Sequence, residues 1–158
     1  FLKDYPQRTG TVLVKKLSGR GETFSESPDY RQAYRILGEA FPGSFLPGDF
    51  DSWYCDICHR VRHETDVLFS WEQAAGLITA CPGEYGVIRL AAVAPFAQGK
   101  GIGSRLLAAM EATAVEKGCD KAAVFSKDHK TDLFYGENGY LPAGKWTEIQ
   151  PTAERNQD

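Results

Sequence analysis

The chain has 158 residues, 42% of them hydrophobic and 25% charged, and its 18 Lys and Arg against 21 Asp and Glu give a net charge of −3. That length suits a single domain, residues 1–158, with one hydrophobic core, and the composition excludes disordered and fibrous classes. The weakly acidic balance, with no run of either sign, argues against a nucleic-acid partner. No apolar stretch approaches the roughly 20 residues that span a bilayer, so no membrane partner is expected either.

In chain order, "TVLVKKLS" opens with β-branched residues and reads as a strand. "SPDYRQAYRILGEAF" reads as a helix, with Ser27 as N-cap, Pro28 at the first helical position, and Tyr30, Ala33, Tyr34, Leu37 and Phe41 on one stripe. Pro42 and Gly43 end it, and "GSFLPGDF" is a loop. A second helix starts near Asp51 and Ser52 and runs to about His63. "TDVLFSWEQ", "AGLITAC" and "VIRLAAVA" are strands separated by short turns, the last apolar on both faces as a central strand is. A strong helix follows from Ser104 to about Lys117, closed by Gly118. Then come a strand at "DKAAVFS", a short helix at "KTDLFYGENG" and a closing strand or hairpin through "YLPAG" and "KWTEIQ". The order is βααβββαβαβ, and "PTAERNQD" is read as a loose tail.

The amino terminus carries no signal-peptide pattern, although a chain beginning at Phe1 leaves a cleaved leader or excision from a longer polypeptide open. Four cysteines are too few for a disulfide scaffold, so a cytoplasmic setting with reduced thiols is expected.

Two segments compete for the function. The first is "CDICH", with Cys55, Cys58 and His59 in an order that serves haem attachment, a zinc site or a redox pair. At about 100° per residue, with Tyr54 at the origin, Ile57, Val61 and Cys58 share its apolar stripe, while Cys55, His59 and His63 turn outward. Haem lacks a second axial ligand nearby, since Met110 belongs to another helix. A closed zinc site needs a fourth ligand, such as Cys81, from elsewhere. A redox pair is favoured at a helix N-terminus, and Cys55 lies about a turn inside. The plain reading, an amphipathic helix with one buried and one edge cysteine, stands against all three, and no metal is expected.

The second is "QGKGIGS", between a buried strand and a strong helix. The first amides of a helix have no internal partner and, with the helix dipole, form an anion site. Gly99, Gly101 and Gly103 let a phosphate reach the backbone. The spacing fits neither G-x-x-x-x-G-K-[ST] nor G-x-G-x-x-G, because Ser104 takes the last position of the latter.

"LAAVAPFAQGKGIGSRLL" resembles the acetyl-CoA signature of the GNAT superfamily of N-acetyltransferases, [Q/R]-x-x-G-x-[G/A], at Gln98, Gly101 and Gly103. "DLFYGENGY" is similar to that family's FYexxGF segment. The resemblance implies an α/β (α+β) GNAT fold: a central mixed, mostly antiparallel sheet with splayed middle strands and helices on both faces. It implies acetyl-CoA as cosubstrate and a primary amine of a small molecule or peptide as acceptor; a homodimer is left open.

By the same resemblance, the backbone at Ala91, Ala92 and Val93 holds the pantetheine, and the Val93 amide steadies the thioester oxygen. The amides from Gln98 through Gly99, Lys100, Gly101, Ile102, Gly103 and Ser104 hold the pyrophosphate, with Lys100 adding charge. Tyr135 gives its proton to the CoA sulfur. Two positions depart from the family. Asp128 stands where an Asn is usual, keeping an acceptor for the cofactor but losing a donor, and Arg89 stands where many members place a catalytic Glu. Glu84 is then the nearest acidic candidate for a water-relayed base, against an equal reading as a turn carboxylate. A domain of this fold that binds acyl-CoA or a partner without catalysis is the rival, and a nucleotide-linked amino sugar is the narrower acceptor considered.

Overall fold

A computed structural model describes residues 7–18, 28–41, 49–62, 66–71 and 73–149. Among them the elements run β1 (Gln7–Lys16), α1 (Tyr30–Ala40), α2 (Phe50–Arg62), β2 (Asp66–Trp71), β3 (Ala74–Ala80), β4 (Tyr85–Val93), α3 (Ile102–Glu116), β5 (Lys121–Ser126), α4 (His129–Glu137) and β6 (Leu141–Ile149). This is the expected order, with a 3₁₀ turn at Pro95–Ala97 added between β4 and α3. The fold is mixed α/β, with strands that pair mostly antiparallel. The chain forms two compact units, residues 16–122 and residues 1–15 with 123–158.

In the larger unit β2, β3 and β4 form an antiparallel meander. One sheet face packs on α1 and α2 through a cluster of Ala33, Ile36, Leu37, Trp53, Ile57, Leu68, Ala75, Leu77 and Leu90. Fully burying an aliphatic or aromatic side chain of this size contributes about 1.5–3 kcal/mol, so this cluster contributes substantially to the unit's stability. The other face receives α3, and it does so closely because glycines lie beneath it. A Cβ on Gly76 would come within 2.8 Å of Met110 Sδ, and one on Gly86 within 2.8 Å of Ala114 Cβ.

The helix ends correct two expectations. Asp29, not Ser27, caps α1: its Oδ1 accepts from the Gln32 amide at 3.0 Å, and Pro28 precedes the cap. A carboxylate three residues before the amide it caps outcompetes a hydroxyl placed too early. Ser27, Pro42, Gly43, most of the "GSFLPGDF" loop, His63 and the "PTAERNQD" tail lie outside the described residues. Asp49 starts α2 in the same way, accepting from the Ser52 amide at 2.8 Å. Its stripe is also displaced. Trp53 and Ile57 are buried one turn apart, whereas Tyr54 turns outward and stacks on Phe50. At the end of α3 the Cys119 amide donates to Ala114 O and that of Gly118 to Val115 O, with Gly118 at φ +91°. This is the paired C-terminal motif that a left-handed glycine permits.

In the smaller unit the strand order is β5-β1-β6. The first strand of the chain therefore lies between two of the last elements, and β6 is one strand, not a hairpin. β1 and β6 pair antiparallel, with Ala143 as the extra residue where the register steps from Val12↔Gly144 to Leu13↔Pro142. Gly10 lies opposite Trp146. The indole folds over it and donates from Nε1 to the Ser126 carbonyl at 2.9 Å, so β6 is tied to β5 across the bare backbone of β1.

A side chain at Gly10 would meet the Ser126 carbonyl and the Trp146 ring, whereas one at Gly144 meets nothing within 4 Å. Gly10→Ala is therefore expected to cost about 1–3 kcal/mol or more by overpacking, and Gly144→Ala to stay near neutral. Urea denaturation of the two variants checks this; equal midpoints would contradict the packing described.

Candidate functional site

The site is built on the second half of β4. Ala91, Ala92 and Val93 pair with Gly76, Ala75 and Ala74 of β3, fixing the strand to its end. Just before them the register steps from Ile78↔Ile88 to Leu77↔Leu90, which leaves Arg89 as the extra residue of a β-bulge. Beyond Val93 the chain is held at each step. The Ala94 amide donates to Gln73 O at 2.7 Å, Ala97 N closes the 3₁₀ turn on Ala94 O at 2.9 Å, and Gln98 Nε2 reaches back to Val93 O at 3.1 Å. Gln98 thus braces the loop against the strand end, a role not anticipated from the sequence.

The loop then turns through two left-handed residues, Gly99 at φ +81° and Gly101 at φ +77°. Both need glycine for the backbone conformation itself, since a Cβ at either would meet nothing within 4 Å. Gly101 is the N-cap of α3 and has no capping side chain. The first bond of the helix runs from Arg105 N to Gly101 O, so the amides of Ile102, Gly103 and Ser104 have no acceptor within the helix. No acidic residue stands in that first turn, Lys100 is exposed beside it, and Arg105 is held with its guanidinium 4.2 Å from the Trp71 ring centroid. A 15-residue helix presents its positive end beside this glycine loop, where the space next to Gly99 and Gly101 is open. The arrangement suits a phosphate-type anion. Gly103 differs from the other two, lying inside the first helical turn without a positive φ.

The remaining nominated residues lie on other elements of the chain. Tyr135 is buried in α4 of the smaller unit, with its ring edge-on to Tyr140 at 5.3 Å. Asp128 is the N-cap of the same helix: its Oδ1 accepts from Thr131 N at 2.8 Å, while its carbonyl accepts from Ser126 Oγ at 3.1 Å. An Asp directly ahead of a helical run is itself a capping signal. Glu84 sits exposed in the β3–β4 turn, its amide on Cys81 O, at the opposite end of β4 from Val93. The two are nine positions apart along the strand, about 30 Å at the usual rise. That placement gives a base role at Val93 no support and favours the turn carboxylate.

The "CDICH" segment lies on α2, with Cys55 and His59 exposed and Cys58 half-buried. Its apolar stripe is carried by Trp53 and Ile57, and a hydrogen bond with Cys58 raises the Tyr54 hydroxyl above its ordinary value. Among the described residues no three His, Cys, Asp or Glu side chains cluster as a metal site would require. None of the described helices is long and apolar enough to cross a membrane.

A polar chain across the meander was not foreseen. Arg89 Nε donates to Thr79 Oγ1 at 3.1 Å, and Thr79 Oγ1 donates to Asp66 Oδ1 at 2.7 Å. Arg60 Nη1 of α2 lies 3.6 Å from Asp66 Oδ2. The only sequence signal was an arginine interrupting an otherwise apolar strand.

The family model for the acetyltransferase (GNAT) family matches residues 30–140, a span containing β4, the glycine loop and α4. The chain belongs to the GNAT family. Solved structures agree at the level of fold. A GCN5-related N-acetyltransferase from Sphaerobacter thermophilus superposes with a TM-score of 0.68 at 18% identity, over 92% of this chain and 53% of that one. One from Kribbella flavida gives 0.60 at 16% identity, over 94% and 60%. A tandem GNAT protein from the clavulanic acid biosynthesis pathway gives 0.58 at 14% identity, over 94% and 55%. The chain thus spans between half and two-thirds of the length of these GNAT neighbours. A comparison with curated proteins returns no match.

The loop geometry predicts which glycines resist substitution. Gly99→Ala and Gly101→Ala are each expected to cost about 1–2 kcal/mol from the left-handed backbone alone, and Gly101→Asn less, since Asn tolerates that conformation. Thermal denaturation of the three variants reads this directly, and an Asn variant no better than the Ala one would count against conformational strain as the cause.

Proposed function

We propose that this GNAT-family protein is an N-acyltransferase that moves an acetyl group from acetyl-CoA to a primary amine of a small molecule or peptide by direct transfer. The observation that carries the reading is the open glycine loop at the start of α3, with no acidic residue in the first helical turn. Two left-handed glycines and three helix-start amides fit a pyrophosphate, and a side chain at Gly99 or Gly101 would project into that space.

When bound, acetyl-CoA supplies an acetyl group activated as a thioester. The amides from Gln98 to Ser104 hold the pyrophosphate, and Lys100 adds a positive charge to that end. The backbone of Ala91, Ala92 and Val93 holds the pantetheine, the Val93 amide donating to the thioester oxygen. Tyr135 gives the proton of its Oη to the departing sulfur. No side chain is assigned as base, and the acceptor amine is taken up in its neutral form. Asp128, the N-cap of α4, offers its carboxylate to the cofactor as an acceptor, as the family resemblance implies. Four free thiols accord with a cytoplasmic setting.

Acetyl-CoA at a hundredfold excess over its Kd is expected to add about 2.7 kcal/mol, raising the melting midpoint by roughly 2–4 °C per kcal/mol for a chain of this size. Adenosine diphosphate serves as the partial-ligand control. No rise at millimolar acetyl-CoA would remove the cofactor from the proposal. Tyr135→Phe is expected to lower turnover about 10²–10⁴-fold while leaving the acetyl-CoA midpoint shift nearly intact. Unchanged turnover would take the proton-donor role from Tyr135, and cofactor binding without turnover in the parent protein would favour a non-catalytic acyl-CoA-binding domain.

A further inference from the structure

The chain Arg89–Thr79–Asp66–Arg60 is more elaborate than a surface ion pair requires. Asp66 is buried, 4% exposed, at the head of β2 and directly opposite Thr79 of β3. A carboxylate withdrawn from water is retained only when its charge is answered. Here Thr79 donates to Oδ1, and Arg60 stands 3.6 Å from Oδ2, which makes no hydrogen bond.

Thr79 has one hydroxyl proton, and Asp66 takes it. Its lone pairs are then free to accept, and the Nε–H of Arg89 donates to them at 3.1 Å. The buried acid therefore fixes the direction of the whole relay. An arginine recruited only to neutralise a carboxylate would turn its terminal nitrogens to it, the favoured two-bond geometry. Arg89 instead spends Nε on a neutral hydroxyl and meets no acceptor through its terminal nitrogens among the described residues.

The bulge determines where those nitrogens stand. With Arg89 inserted between Ile88 and Leu90, alternation is broken, and Arg89 shares a sheet face with Leu90, which packs in the α1–α2 cluster. Arg89 remains exposed there. It is a guanidinium of fixed orientation, four residues before Val93 on the strand that the acyl-transfer reading uses.

We propose that Arg89 recognises an anionic group, a carboxylate or a phosphate, on the amine acceptor, with Thr79 and Asp66 as positioning residues. This rests on the acyl-transfer reading above and narrows it to acidic primary amines. Arg89 presents paired N–H donors to two oxygens of the anion. The amine itself is held by other groups.

The test pairs amines that differ only in the acid: methylamine with glycine, phenethylamine with L-phenylalanine, ethanolamine with O-phosphoethanolamine. Each is assayed with acetyl-CoA. The parent protein is expected to favour at least one class of acidic member by about tenfold or more in kcat/KM, the scale of a charge-assisted bond. Which class is favoured distinguishes carboxylate from phosphate. In Arg89→Gln the ratio is expected to fall to about one. Thr79→Val is expected to raise KM for the acidic member while largely keeping kcat, and Thr79→Ser to restore it.

A ratio near one in the parent protein, or one that survives Arg89→Gln, overturns the anion site. If the protein binds acetyl-CoA in calorimetry but turns over none of the pairs, glycine, L-phenylalanine and O-phosphoethanolamine are titrated into that complex. Absence of saturable heat then overturns the anion site and leaves the cofactor reading standing. Saturable heat that disappears in Arg89→Gln supports the site without turnover. Failure to bind acetyl-CoA at all removes the underlying reading and this inference with it.

Discussion

The pairing of β4 with β3 is the constraint on which the candidate site depends. It carries Ala91 to Val93 to the end of the strand in fixed register, and it contains the one-residue insertion that turns Arg89 out of alternation. Everything beyond is referred to that strand end: Ala94 is tied to Gln73, the Gln98 side chain returns to Val93, and α3 begins four residues after Gln98. A loop this rich in glycine has a large conformational entropy when unfolded. The two braces hold it because they fall on either side of the 3₁₀ turn, leaving little chain unaccounted for before the helix.

The same meander shows how a sheet can be covered on both sides and still keep one polar thread. Gly76 and Gly86 admit α3 closely on one face, and the α1–α2 cluster fills the other. Through the second face runs the Asp66–Thr79–Arg89 relay, with Arg60 as counter-charge. Removing Thr79 or Arg60 would leave the buried carboxylate of Asp66 short of a partner, whereas Arg89 touches it only through Thr79. Its one free end is the guanidinium of Arg89, which is why that residue, and not the buried acid, is the place to look for a ligand.

The smaller unit solves a different problem. A nine-residue strand at the end of an order β5-β1-β6 is joined to its neighbour by backbone pairing and, across Gly10, by a single indole. A glycine inside a strand weakens it, and an aromatic side chain folded over the gap restores the lost packing. Asp128 contributes locally in the same unit, using its carboxylate to start α4, the helix that holds Tyr135.

Much of this was legible from residue order alone. The alternation of apolar stretches and turn residues gave all ten regular elements in order, because helix and strand periodicities are local properties of the backbone. The QGKGIG segment and the FYGENGY segment were enough to point to GNAT, since glycine at a strand-to-helix junction answers a local conformational demand. Cap positions were missed by two residues at α1 because Ser27 and Asp29 are chemically similar competitors, and only the backbone direction decides between them. What the tertiary structure alone decided is long-range. The first strand lies between β5 and β6, Arg89 is the bulged residue, and Asp66 and Thr79 become its support. None of these leaves a mark in nearby sequence. Strand partners, and the register that sets which side chains meet, are chosen by packing between segments tens of residues apart.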